Sequence, residues 1–124
     1  MTIKNFFILT AISSCLFGIA LLFMPEQMAI WHGQNTLDNF GKFTAQMLGG
    51  ALFATGTIGW MAKNSNPSEA RTAILKFLLV SDIFYTLVNG FHLIQNSGGE
   101  PFQYLELIVP SFFAIGAVYF LRRK

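Results

Sequence analysis

Charge is what this sequence has least of. Asp, Glu, Lys and Arg make up 11% of the 124 residues, where a soluble domain carries about 25%. That scarcity excludes an ordinary water-soluble globule. The eight basic residues form no stripe and the net charge is only +2, which excludes a nucleic-acid-binding surface. A single cysteine, Cys15, excludes an internal disulfide and a cysteine-built metal cluster. The two histidines, His32 and His92, stand in no H-x-x-x-H or E-x-x-H spacing, so no metal site is expected. No phosphate loop, dinucleotide fingerprint or Ser-His-Asp arrangement is present. No cofactor is expected either.

What is present is apolar surface, 53% hydrophobic residues with 14 Phe among them. Four apolar runs are long enough to cross a bilayer: Asn5–Phe23, Phe43–Ala62, Ala73–Ile94 and Phe102–Leu121. Each exceeds the roughly 17 residues that a spanning helix needs. Helices are the only structure that fits, because an open strand edge leaves backbone groups unpaired in lipid. The expectation is an all-α, single-domain protein over residues 1–124, an antiparallel bundle of four transmembrane helices.

Basic residues set the direction. Lys4, Lys63, Arg71, Lys76, Arg122, Arg123 and Lys124 fall on one side of the expected bundle and Lys42 alone on the other. The positive-inside bias then makes both termini and the Lys63–Arg71 loop cytoplasmic. The Met24–Lys42 and Gln95–Pro101 loops face outward. Two features of the first run bear on targeting. Lys4 before an apolar stretch has the look of a signal peptide, yet the run reaches Phe23 without a small-x-small cleavage site. Ile12-Ser13-Ser14-Cys15 resembles a bacterial lipoprotein box, yet Leu16–Phe23 stays apolar where a lipoprotein continues with a polar tether. An intact first helix is the better reading.

The loops carry breakers. Pro67 ends one helix and Ser68 caps the next, and Gln95–Pro101 is a Gly-rich outer turn. Both are short, so the second, third and fourth spans are expected as antiparallel neighbours. The first outer loop differs. Pro25 suits a first helical position and Gly33 a helix end, with Met24, Met28 and Trp31 on one side between them. This predicts a short interfacial helix, with Trp31 and His32 at headgroup level as anchor, lid or gate.

The third span holds the most informative residue, Asp82. A charge at bilayer depth costs about 2.5–3.5 kcal/mol on insertion scales. At 100° per residue, Tyr85, Thr86 and Asn89 fall within about 60° of Asp82, and His92 about 80° to one side. Such a stripe faces a bundle interior or a wet cavity. A matching face is expected on the second span, where Gln46, Gly49, Phe53, Gly56 and Trp60 recur at helical spacing beside a Gly50–Ala54 small-residue pair. In the fourth span Pro110 lacks the N–H that the carbonyl of Glu106 needs, which frees that carbonyl. Antiparallel geometry brings Glu106 toward the depth of Asn89 and His92, so a Glu106–His92 pair with Gln46 nearby is expected.

Gly18 with Phe23-Met24-Pro25-Glu26 closing the first helix, then Gly49-Gly50, Gly56 and Trp60-Met61-Ala62-Lys63 in the second, resembles the DoxX-like group of small four-helix bacterial membrane proteins. The likeness covers about the first half of the chain. It implies a four-helix bundle in a bacterial inner membrane with accessory or lipid-linked roles, and no particular reaction. Members often carry an arginine early in the second helix, where this chain has Gln46. Sterol-isomerase-like proteins share the four-helix architecture and use intramembrane acids and aromatics, an analogy of architecture alone.

Four readings of the stripe follow. Asp82, Tyr85, Thr86, Asn89, His92, Glu106, Gln46 and Trp60 form either a dry interhelical clamp or a polar spot for a lipid or small apolar ligand. The absence of a complete catalytic set favours a non-enzymatic protein of this kind, in contact with the bilayer and with a second copy or a partner subunit. The alternative is an intramembrane enzyme on a lipid or sterol-like substrate, with Asp82 or Glu106 as acid or base and Trp60, Tyr85 and Phe53 shaping the pocket. A proton-coupled transporter ranks last, because no second carboxylate lies at the depth of Asp82.

Overall fold

The computed structural model describes residues 1–95 and 99–123. Asn96, Ser97 and Gly98 of the expected outer turn, and Lys124 of the basic side, lie outside the described residues. Five helices follow in order: α1 Ile3–Phe23, α2 Pro25–Trp31, α3 Asn39–Ala62, α4 Glu69–Gln95 and α5 Pro101–Arg122. Among the described residues there is no strand.

Local chemistry places the helix ends. Thr2 caps α1 by accepting from the Asn5 amide at 3.2 Å, and Asp38 caps α3 by accepting from Gly41 at 2.7 Å. Ser68 Oγ accepts from the Arg71 amide at 3.2 Å, the predicted cap of α4. Pro25 and Pro101 open α2 and α5. Gly33, at φ 78°, ends the turn after α2 in the left-handed region that a β-carbon disfavours. The helices start before their apolar runs do, at Asn39 rather than Phe43 and at Glu69 rather than Ala73, because capping and not hydropathy sets a helix start.

Three helices, α1, α4 and α5, are long and apolar enough to cross a membrane. In α3 five glycines and Gln46 lower the hydropathy of an otherwise long helix.

The helices pair as α1 with α3 and α4 with α5, while α3 and α4 touch only sparsely. This corrects the expectation that the short loop at Pro67 makes α3 and α4 close neighbours. The reason lies in the glycines. A β-carbon on Gly18 would sit 2.8 Å from the carbonyl oxygen of Gly49, and one on Gly49 equally close to that of Gly18. A β-carbon on Gly56 would meet the Ala11 oxygen at 2.9 Å. Bare backbone therefore joins α3 to α1, the first helix, and not to the polar stripe of α4. Gly50, expected as part of a small-residue pair, meets nothing within 4 Å.

The two pairs join at one end. Phe6 and Phe7 of α1, Ala62 of α3, Leu75 and Leu78 of α4, and Phe113 and Ala117 of α5 form the buried cluster there. The ring of Phe6 lies 5.3 Å from that of Phe120 and 6.0 Å from that of Phe113, with Gly116 making room for it. Lipid is as apolar as these side chains, so close fit and dispersion, more than escape from water, hold the cluster. Away from this end the pairs diverge.

Candidate functional site

The divergence leaves a cavity of about 550 Å³ between the helix pairs. All four long helices line it, together with His32 after α2. Its floor is the inter-pair cluster, through Leu78 and Phe113. One turn above the floor stand Thr10, four residues past Phe6, and Asp82, four residues past Leu78. At the far end are Asn89, His92, Glu106 and His32. From Leu78 to His92 the α4 wall rises about 21 Å at 1.5 Å per residue.

Asp82 faces this space. Its Oδ2 is shielded from solvent and has no hydrogen-bond partner. Thr10 is only 3% exposed and its hydroxyl is also unpartnered. A buried polar atom left unpaired costs roughly 1–3 kcal/mol. Both atoms are closed off from the open space, although their residues line it. Tyr85 is half-buried and lines the same wall.

The rest of the stripe is divided. Thr86 is spent on structure and does not line the cavity. Its hydroxyl donates to the Asp82 carbonyl at 2.7 Å and lies 3.3 Å from Ser111 Oγ on α5. Asn89 Nδ2 donates to the carbonyl of Glu106 at 3.3 Å. That is the carbonyl which Pro110, four residues on, cannot bond.

The expected Glu106–His92 pair is replaced by another. Glu106 Oε2 lies 2.6 Å from His32 Nε2, while His32 Nδ1 lies 2.6 Å from the carbonyl of Met28. With an ionised Glu106, both ring nitrogens face acceptors, so the imidazolium fits best. The hydrogen bond to Glu106 raises the His32 pKa above its ordinary value. The Met28 carbonyl and the Glu106 charge add to it, and burial opposes it. Gln103 Nε2 donates to the His32 carbonyl at 3.3 Å, and the Phe102 ring packs against both Trp31 and His32. These contacts tie α2 across the top of α5. His92 is exposed, and shares a smaller side pocket with His32, Gln34 and Glu106.

Two expected members lie elsewhere. Gln46 donates to the Leu22 carbonyl at 3.2 Å and so satisfies the end of α1. Trp60 is half-exposed, with Lys63 Nζ 3.0 Å above its ring. Phe53, expected to shape a pocket, is also outside the lining. The α3 wall consists instead of Leu48, Leu52 and Thr55.

Sequence reasoning missed the α1 wall altogether. Thr10, Ser13, Ser14, Phe17 and Leu21 line the cavity. Their spacing of three, four and seven is a helical stripe, polar at one end and apolar at the other. That signal is present in the sequence, where Ser13 and Ser14 also belong to the lipoprotein-like box. Among the described residues no three His, Cys, Asp or Glu side chains gather as metal ligands would.

Helices and surface together define a membrane protein, all-helical over the described residues, with a mainly apolar cavity open between its helix pairs. No family model, curated protein or solved structure matches the chain.

Proposed function

We propose that this chain is a lipid- or apolar-ligand-binding protein of a bacterial inner membrane, non-enzymatic, with its site in the cavity between the two helix pairs. In this reading α1, α3, α4 and α5 all span, α2 lies at the outer interface, and both termini are cytoplasmic. The likeness to the DoxX-like group is part of the same proposal. Exposed apolar residues along α3, Phe40 at 74% and Met61 at 76%, support its contact with lipid despite its glycines. The basic residues at the Phe6–Phe113 end support the direction.

One observation carries the ligand-binding reading. The cavity is walled mainly by apolar side chains and has Asp82 among its lining residues. A dry clamp between helices would have left no such space. The same observation favours a second reading, in which Asp82 exchanges a proton with a lipid-like substrate held there. Transport is disfavoured, because Phe6, Leu78 and Phe113 close the floor.

The test is native purification with extraction and mass spectrometry of retained lipids and partner subunits. Leu52→Trp, on the cavity wall, is expected to empty the site. Phe91→Trp, on the exposed face of α4, is expected to leave it loaded. Equal lipid retention by both variants would sink the proposal.

A further inference from the structure

We propose that the cavity takes one acyl chain of a membrane phospholipid, which enters sideways from the bilayer between α3 and α4 and keeps its head at the outer end. This rests on the cavity being a ligand site and goes further, to the source of the ligand, its way in and its orientation.

Exposure locates the opening. Of the residues that line the cavity, Leu48, Phe84, Val88 and His92 are the exposed ones, and all four stand on α3 or α4. Among the described residues, no lining residue on α1 or α5 is exposed. Rings close that opposite side: Phe17 of α1 lies 5.9 Å from Phe102 of α5, and Phe6 of α1 lies 6.0 Å from Phe113 of α5. The slot follows from the helix pairing, since α3 and α4 belong to different pairs and touch only sparsely. Its α4 edge is apolar, with Phe84 63% and Val88 54% exposed. Water penalises such an edge and lipid chains do not.

Polarity sets the orientation. The floor is apolar, through Leu78 and Phe113. At the outer end the cavity shares His32, Asn89, His92 and Glu106 with the smaller pocket, which adds Gln34. His92 and Gln34 are exposed there, and each offers an N–H donor, His92 in either protonation state. A phosphodiester only accepts, so these donors match a phospholipid head and the apolar space below matches its chain. From His92 down to Ser81, α4 descends about 16 Å at 1.5 Å per residue. That is close to the depth of one leaflet's hydrocarbon, half of roughly 30 Å. A partner helix, about 10 Å across, would cover the edges of the slot and leave the space behind them unfilled, which is costly. A single chain fills that space, while the second chain of the same lipid lies outside against Phe84 and Val88.

The experiment is photolabelling from within the bilayer. The purified full chain is placed, one copy per disc, in phosphatidylcholine nanodiscs with a trace of phosphatidylcholine that carries a diazirine at the end of one acyl chain. Mass spectrometry then maps the labelled residues. Label is expected on the inward Ser13, Ser14 and Ser81 as well as on the outward Leu16 and Leu87. A diazirine at the head end of the same chain is expected to label near His92 and Gln34, and its appearance at Ser81 instead would overturn the orientation. Leu48→Trp with Val88→Trp, on the slot edges, is expected to cut the inward label at least about fivefold, the scale on which overpacking a site acts, and to spare the outward label. Leu48→Phe, a milder narrowing, serves should the Trp pair fail to fold. Ile108→Trp with Ile115→Trp, exposed on α5 and outside the lining, is expected to change neither label. If the edge variants keep the inward label while Leu52→Trp loses it, entry between α3 and α4 is wrong and the cavity remains a ligand site. If discs holding two copies lose the label on Phe84, Val88 and the interior together, a second copy covers the slot and the proposal fails. If wild type takes no inward label, a phospholipid chain is not the occupant, and if native preparations also carry no lipid, the ligand-binding reading itself fails.

Discussion

Asn89 on α4 donates its side-chain amide to the carbonyl of Glu106 on α5 at 3.3 Å, and Pro110 is the reason that carbonyl is free. A helix kept imperfect by proline is thereby mended from its neighbour, one turn from the mouth of the cavity.

That relationship predicts a non-additive pair. Asn89→Leu is expected to destabilise the protein by about 1 kcal/mol, the usual size of an interhelical hydrogen bond in a membrane. In a Pro110→Ala background the carbonyl regains a helical partner, so the same change should cost much less. Thermal unfolding of the four proteins in one detergent measures this. Equal losses in both backgrounds would mean that the bond contributes nothing.

The tie of α2 to α5 should weaken as pH rises. The folded-state pKa of His32 is raised, chiefly by the hydrogen bond to Glu106. Its stabilisation is therefore fully present below the unfolded value of about 6.5 and is lost as pH climbs through the higher folded value. Hydrogen exchange of the α2 amides is expected to speed up across that window beyond the ordinary base-catalysed rise. Glu106→Gln should abolish the extra step. An unchanged profile in the variant would assign the step to another group.

The contact between α1 and α3 predicts a contrast between adjacent glycines. Gly49→Leu drives a side chain into the backbone of α1 and is expected to cost more than about 2 kcal/mol, or to prevent folding. Gly50→Ala meets nothing within 4 Å, and should be neutral or stabilise by up to about 1 kcal/mol through helix propensity. Thermal melts of the two variants decide it, and similar melts would refute the pairing of α1 with α3.

The unpartnered hydroxyl of Thr10 predicts a gain in stability. Thr10→Val keeps the shape and removes a buried polar atom, so the unliganded protein should gain about 1 kcal/mol. Melting of lipid-depleted wild type and variant measures the difference. A loss of stability in Thr10→Val would show that the hydroxyl is satisfied in the empty protein.

Much of the architecture was legible in the residues. Pro25 and Gly33 bracket α2, Ser68 caps α4, and Pro110 marks the freed carbonyl of Glu106. Each of these is a short-range rule, written within four or so residues of its consequence. The site was legible in part. Asp82, Tyr85, Asn89, His92 and Glu106 do border one cavity, as the stripe on α4 and the antiparallel α5 imply. Gln46 and Trp60 do not, because their helix turns its glycines toward α1.

By itself, then, the sequence determined the helices, their ends, their apolar character and the polar stripe of α4. Only the tertiary structure decided that α1 pairs with α3, that His32 and not His92 meets Glu106, and that Thr10 shares a cavity with Asp82. The physical reason is the solvent. In water, an amphipathic helix declares its buried face by its polarity. In lipid the inner and outer faces are similarly apolar, so periodicity says which residues share a face but not what that face meets. Close backbone approach at Gly18 and Gly49 made that choice, and the space it left between the helix pairs is the cavity that Asp82 faces.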